Sequence, residues 1–264
     1  MKNIFSLKNK KIIIMGGLGK LGKQFTNIFL KSEAKKIIII DIAKPKKNSK
    51  RVDYYQCDLS NEIELKKLLN LIFEKEKKIN SLVYNVYSKP KNYYMPNSVY
   101  DSKTWRQVLD VNLTAAYISA QNIINHFVRK NIKGNIVFLL STYGLVSPNL
   151  GIYKGLSKKR NIYGGKFSLT SPASYTASKS ALLGLTKYLA CAYGKNGIRV
   201  NALSPGGVFD HQEKKFVKNY IEKVPMGRMA KWHEYNGAIL FLVSNASSYM
   251  NGSNLIVDGG WTAW

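Results

Sequence analysis

Short β-branched runs alternate with longer helical patterns along the whole chain, and this alternation limits the possible folds more than any other feature. Residues 11–15, 36–40, 81–84, 135–140, 198–203 and 254–257 read as strands, with 52–56 as a further short one. Most are nearly continuous in Ile, Val and Leu, which is the pattern of parallel strands covered on both faces. Helical patterns lie between them, near 20–32, 61–78, 101–130, 173–194 and 234–244. Such alternation predicts an α/β, doubly wound parallel sheet with ligands beyond the carboxyl ends of its strands.

Two stretches break the pattern. Residues 143–172 are rich in Gly, Ser, Tyr and Lys, and a loop of that length in a compact domain is usually functional or disordered. Residues 205–232 begin Pro205-Gly206-Gly207 and carry a short helical pattern at 212–222. Both follow predicted strands, which puts both on the ligand side. With no repeat, linker or charge-block boundary, residues 1–264 are expected to form one domain.

The composition excludes several classes. No apolar run approaches the ~20 residues needed to span a bilayer, and the first residues lack the apolar core of a signal peptide. Cys57 and Cys191 are too few for a disulfide scaffold, and neither they nor His126, His211 and His233 have metal-ligand spacing. A reducing, cytoplasmic compartment and no metal are expected. The charge is unusual: 41 Lys+Arg against 15 Asp+Glu gives +26. Such a field draws in anions. The basic residues are spread along the chain and form no nucleic-acid module, so drift toward Lys, Asn and Ile explains them better than a nucleic-acid partner.

After the first strand comes Gly16-Gly17-Leu18-Gly19-Lys20-Leu21-Gly22, leading into a helix. Glycines allow a tight turn and close backbone approach to a pyrophosphate, and a helix N-terminus offers free N–H groups. The second strand ends at Asp41, about 20 residues on, the context expected of a Rossmann-type dinucleotide site. An acid there bonds ribose hydroxyls and repels a 2′-phosphate, which favours NAD(H) and leaves NADP(H) open, since Lys44 and the basic run after it soften the preference.

Tyr175 and Lys179 are four apart on a predicted helix and so share a face. An ammonium beside a phenol favours the phenolate, and a phenol with a lowered pKa can exchange a proton with an alcohol or carbonyl oxygen.

Together these motifs resemble the short-chain dehydrogenase/reductase family, in its short single-domain branch, over essentially the whole chain. Beyond the glycine loop, the ordered matches are Asp58-Leu59, Asn85, Val111-Asn112-Leu113, Leu140-Ser141-Thr142, Tyr175 with Lys179, Arg199-Val200-Asn201 leading to Pro205-Gly206, and Val257-Asp258-Gly259-Gly260. The resemblance implies an NAD(P)-dependent oxidoreductase of about seven strands with a catalytic set of Asn112, Ser141, Tyr175 and Lys179. Tyr175 would be the general acid/base and Ser141 would hydrogen-bond the same substrate oxygen. Lys179 would bind the nicotinamide ribose, and Asn112 would hold a relay water. Gly16, Gly19 and Gly22 would line the pyrophosphate, with Lys20 and Leu21 between them in the same site. Asp41 would meet the ribose, Asp58 and Leu59 the adenine, Asn85 the length of the cofactor, and Pro205, Gly206 and Val208 the carboxamide. Assembly as a homodimer or homotetramer through the helices near 101–130 and 173–194 is implied as well.

The departures from the family pattern carry information. Met15 replaces the threonine whose hydroxyl ties the loop, and the spacing of Gly16, Gly19 and Gly22 is similar to that of the larger sugar-nucleotide branch. Tyr84-Asn85-Val86-Tyr87 stands where Asn-Asn-Ala-Gly is usual, which crowds the cofactor with two tyrosines. From Ser141 to Tyr175 is 34 positions, where the family commonly needs little more than a dozen. The inserted stretch, with Tyr143, Asn149, Tyr153, Lys154, Lys158, Lys159, Arg160, Tyr163 and Ser168, is expected over the substrate mouth, where it suits a hydroxyl-rich or phosphate-bearing substrate. A surface loop without substrate contact is the alternative. Segments 141–148, 152–155 and 204–210 resemble a subgroup of bacterial surface-sugar biosynthesis, including flagellin-glycan and nonulosonic-acid pathways. Trp261 and Trp264 are expected to be covered by a subunit contact or by the substrate loop. A sugar dehydratase or epimerase with tightly held NAD, and a non-catalytic cofactor-sensing or nucleic-acid-binding protein, remain as other readings.

Overall fold

A computed structural model describes residues 3–44, 48–156 and 169–264. Among these, parallel strands β1 (Lys11–Met15), β2 (Lys36–Asp41), β3 (Val52–Gln56), β4 (Ser81–Tyr84), β5 (Asn135–Leu139), β6 (Arg199–Pro205) and β7 (Asn254–Val257) form one sheet in the order β3-β2-β1-β4-β5-β6-β7. Ile12, Ile13 and Ile14 are all fully buried, because successive side chains of a strand point to opposite faces and both faces are covered. Ile13, Ile38 and Leu82 join one core beneath helices α2 (Glu62–Glu76), α4 (Ala115–Arg129) and α5 (Ala173–Tyr193). Ile12, Ile37 and Val83 join the other, against α1 (Lys20–Lys31) and α7 (Asn236–Val243). The strand order reverses between β1 and β4, and the crevice at their carboxyl ends is where ligands bind in such sheets.

Strands and helices fall where the periodicity puts them, with one informative difference. The pattern at 101–130 is not one helix. It divides into α3 (Ser102–Leu109), a π turn at Asp110–Thr114 and α4. Asp101 caps α3 through the Thr104 N–H, and Asn112 sits fully buried inside the π turn. Single π turns within helices mark places where one side chain must be re-aimed.

A third cluster caps the ligand side. Ile152, Tyr220, Met229 and Trp261 pack together with Tyr143, Tyr153 and Phe216, the last from α6 (Lys214–Ile221). Trp261 stacks on Tyr220 at 4.6 Å and meets Tyr143 edge-on at 6.1 Å, so the chain end braces the loops around the crevice as expected. Trp264 is exposed in the single chain.

At the opposite end of the sheet Glu76 pairs with Lys11 at 2.7 Å and Lys36 at 3.1 Å, while Asp53 pairs with Lys36 and Lys75, each at 2.9 Å. Burial pushes both carboxyls up, but the hydrogen bonds and charges of these lysines outweigh it and hold both below their ordinary values. A carboxylate with a lowered folded-state pKa adds stability above its unfolded pKa and loses it as pH falls through the folded one. The melting temperature is therefore expected to fall as the pH drops below about 5. Glu76→Gln should cost about 1–3 kcal/mol at neutral pH and flatten that acid limb in a thermal-denaturation series.

Candidate active site

The glycine loop is built to let another backbone approach. Gly16 has φ +75°, and a Cβ there would lie 2.4 Å from the Asn85 carbonyl oxygen. A Cβ on Gly22 would lie 2.4 Å from the Gly16 carbonyl oxygen and 2.6 Å from the Gly17 Cα. Gly19 is the residue before α1, whose first N–H groups face the crevice side of the sheet. The loop is tied by a carboxylate: Asp41 Oδ2 accepts from the Leu18 N–H at 2.9 Å and Oδ1 from the Ala43 N–H at 3.0 Å. Asn85 donates from Nδ2 to the Gly16 carbonyl at 3.1 Å.

Gly16, Gly19, Asp41, Asp58, Leu59 and Asn85 line one cavity at the switch point. A cradle in which a side chain at Gly16 or Gly22 would collide, closed by an acid at the end of β2, fits a dinucleotide. Gly22 does not line it and packs against the backbone of Gly16 and Gly17. Lys20 does not line this cavity. Its ammonium is ion-paired with Asp210 and lies 5.3 Å from the centre of the Trp232 ring, which ties the start of α1 to the loop after β6.

Leu21, Ser141, Tyr175, Pro205, Gly206 and Val208 line a second, adjoining cavity. Ser141 lies two residues beyond the end of β5, and Tyr175 stands in the first turn of α5. Gly144 lets them meet, since a Cβ there would lie 2.9 Å from the Lys179 backbone. The turn after Ser141 is fastened by Ser180, which donates to the Gly144 carbonyl at 3.0 Å.

Tyr175 keeps surface on the cavity, yet the atoms crowding its phenol dominate. Burial pushes its pKa up to about 12, against a downward pull from a hydrogen bond with Ser141 and from the charge of Lys89. This corrects the expectation that Lys179 lowers it. The Lys179 ammonium lies 5.8 Å from the centre of the Tyr175 ring and donates to the Leu139 carbonyl at 2.7 Å and to the Val86 carbonyl at 3.4 Å. Burial brings Lys179 itself down to about 7.

Asn112 donates to Ser178 Oγ at 3.0 Å and accepts from the Ser88 N–H at 2.8 Å. Ser178 in turn donates to the Tyr175 carbonyl at 2.8 Å. The π turn thus clamps the loop after β4 to α5 one turn beyond Tyr175, and Ser178 joins the site as a residue without a motif of its own.

Of the two tyrosines expected to crowd the cofactor, Tyr84 does not. It is fully buried and its hydroxyl donates to the Val111 carbonyl. Tyr87 lines both cavities and meets Tyr175 edge-on at 6.1 Å. From the long stretch before Tyr175, Tyr143 and Tyr153 line the catalytic cavity, and Asn219 holds the Ile152 carbonyl at 3.0 Å. Lys158, Lys159, Arg160, Tyr163 and Ser168 lie outside the described residues. Cys57 is buried, with a thiol pushed up to about 12, and Cys191 is exposed; both are free.

A parallel sheet with a glycine cradle at its switch point and a serine–tyrosine pair beside it defines a Rossmann-type, dinucleotide-dependent enzyme. Comparison with known proteins narrows the class. The sequence model described as short chain dehydrogenase matches residues 10–158, and one described as enoyl-(acyl carrier protein) reductase matches residues 160–262. The chain is 28% identical to 2,5-dichloro-2,5-cyclohexadiene-1,4-diol dehydrogenase of Sphingobium indicum, covering 97% of this chain and 98% of that one. It is 26% identical to glucose 1-dehydrogenase 2 of Bacillus subtilis, covering 98% and 96%. A short chain dehydrogenase from Leptospira borgpetersenii, solved with bound NAD+, is 30% identical with a TM-score of 0.86, covering 99% of this chain and 96% of that one. The chain belongs to the short-chain dehydrogenase family and is an NAD(P)-dependent oxidoreductase.

Proposed function

We propose that this enzyme interconverts a secondary alcohol and a ketone on a sugar-derived or polyol substrate, with Tyr175 as general acid/base. The observation that carries the reading is that Ser141 and Tyr175, far apart in sequence, line one cavity beside the glycine cradle. Tyr175 takes the hydroxyl proton in oxidation and returns it in reduction. Ser141 hydrogen-bonds the same oxygen and offsets charge as it develops. A Lys179 ammonium with a pKa near 7 stands between its protonation states at neutral pH, which suits it to pass that proton on behind Tyr175. Asn112 and Ser178 position α5 against the loop after β4. Hydride acceptance and donation belong to the nicotinamide when it is bound. Asp41, at the end of β2, favours NAD(H) over NADP(H).

Hydroxyl-bearing walls support a polyhydroxylated substrate: Tyr143, Tyr153 and Ser171 all line the catalytic cavity. Relatives named for glucose and for a cyclic diol support the same class. A place in bacterial surface-glycan biosynthesis rests on the resemblance of segments 141–148, 152–155 and 204–210. Exposed Tyr117 and Val128 on α4 and Tyr188 on α5 support a homodimer or homotetramer through those helices. Two free cysteines fit a reducing, cytoplasmic setting. No helix among the described residues is long and apolar enough to cross a membrane.

The test is a panel of polyols, aldoses, sugar acids and sugar phosphates with NAD+ or NADP+, following the absorbance of the reduced nicotinamide. Turnover of at least one polyhydroxylated alcohol, faster with NAD+, is expected. Turnover confined to simple aliphatic or aromatic alcohols would remove the sugar assignment.

A further inference from the structure

Lys20 is the first residue of α1, the unfavourable end of a helix for a cation. The free N–H groups there favour negative charge, and the first turn of α1 carries no acid of its own. The acid comes from across the crevice. Asp210, in the loop after β6, pairs with the Lys20 ammonium, which also lies over the ring of half-buried Trp232. Both partners keep solvent exposure, 55% of the Lys20 side chain and 34% of that of Asp210, so the contact runs along the outer rim.

The loop that carries Asp210 is fixed at its base and bent at its tip. Tyr235 donates to the Gly206 carbonyl at 3.0 Å, and the Gly207 N–H donates to the Tyr220 hydroxyl at 2.6 Å. The chain then runs beside Ala230 as a narrow flap: the Ala230 N–H donates to the Gly207 carbonyl at 3.0 Å, and the Phe209 N–H to the Ala230 carbonyl at 2.9 Å. Gln212 folds the tip, accepting from the Asp210 N–H at 2.7 Å and donating to the Val208 carbonyl at 2.8 Å. His211, between them, has φ +56°, in the left-handed region that few residues other than glycine adopt. Phe209 and His211 are both exposed, so the tip itself buries little. Its link to α1 is the Asp210 carboxylate on Lys20.

That link crosses the passage between the two cavities. Gly19, one residue before Lys20, lines the dinucleotide cavity, whereas Leu21, Asp210 and Trp232 line the catalytic one. A dinucleotide that reaches from Asp41 to Tyr175 passes between the start of α1 and residues 205–208. An ion pair this exposed shifts an equilibrium only a few-fold, too little for a structural staple and well suited to a contact that opens at each exchange of cofactor. We propose that Lys20 and Asp210 are positioning residues for the dinucleotide: their pair clasps the flap at 207–212 to α1 across the crevice, and it opens for the cofactor to enter and leave. The inference goes beyond the alcohol chemistry above and does not depend on which substrate is oxidised.

The test reads cofactor release, not turnover. The complex with NADH, or with NADPH if that binds more tightly, is mixed in a stopped-flow instrument with excess oxidised cofactor. The decay of bound-cofactor fluorescence gives the dissociation rate. Asp210→Asn and Lys20→Met should each speed release about threefold to tenfold at low salt, and the double variant should be no faster than either. Lys20→Arg should keep most of the slow release, and Lys67→Met, on the exposed face of α2, should leave it unchanged as a control for net charge. Raising the ionic strength from about 0.05 M to about 0.5 M should bring wild type toward the variants and leave the double variant where it is. In the protein without cofactor, deuterium exchange across 208–212 should be faster in Asp210→Asn, with α2 unaffected. Release or exchange unchanged in Asp210→Asn overturns the proposal. So does acceleration by Lys20→Met alone, since Lys20 would then serve the cofactor directly. Effects that multiply in the double variant also contradict it, because the two residues would act apart.

Discussion

Tyr175→Phe is expected to lower kcat about 10²–10⁴-fold, or roughly 3–5 kcal/mol of barrier, while leaving the affinity for NAD+ and the melting temperature close to wild type. The reason lies in what the substitution removes. Phe keeps the ring and its edge-on contacts with Tyr87 at 6.1 Å and Tyr93 at 6.5 Å, so the packing around the first turn of α5 is retained. The hydroxyl that shares the cavity with Ser141 is lost, and with it the group that exchanges a proton with the substrate oxygen. The same environment sets a pH dependence. Burial raises the phenol to about 12, so it is protonated across the neutral range. Reduction of a ketone, which consumes that proton, should proceed readily near pH 7. Oxidation of an alcohol needs the phenolate, whose fraction rises with pH below the pKa, so its rate should climb on the alkaline side in stopped-flow or steady-state profiles. Tyr175→Phe should abolish that climb.

Gly22→Ala is expected to weaken NAD+ binding by more than about tenfold and to cost about 1–3 kcal/mol of stability, read by calorimetric titration and thermal denaturation. An added Cβ would lie 2.4 Å from the Gly16 carbonyl oxygen and 2.7 Å from the Gly17 carbonyl carbon. These are backbone atoms with no rotamer to give way, so the loop itself must move. That loop is held by Asp41 at the Leu18 N–H and by Asn85 at the Gly16 carbonyl, and displacement strains both. Gly19→Ala is the natural comparison, since its Cβ would meet the Gly16 carbonyl at 3.4 Å, an ordinary contact. It should be much milder.

The sheet was legible in the sequence because buried parallel strands must be apolar on both faces, and runs such as Ile12-Ile13-Ile14 have few other homes. The glycine cradle was legible because close backbone approach excludes side chains. Tyr84 was misjudged although the strand period could have placed it: Leu82 and Tyr84 share a face, and both lie in the core beneath α4. The π turn at Asp110–Thr114 has no composition signal, since it arises from the fit of Asn112 between Ser88 and Ser178. The direction of the Tyr175 shift was misread because four-residue spacing reports proximity along a helix. It does not report that the Lys179 side chain runs to the Leu139 carbonyl, nor how much of the phenol's surroundings is protein.

The central claim is net hydride transfer governed by Tyr175, and isotope tracing reads it most directly. An alcohol from the panel, deuterated at the carbinol carbon, is incubated with the enzyme and NAD+, and both products are examined by mass spectrometry. The account predicts the label on the reduced nicotinamide, a matching amount of ketone, and neither product with Tyr175→Phe. Label washed into water, or retained in an isomerised or dehydrated sugar with the cofactor unchanged at the end, would contradict it.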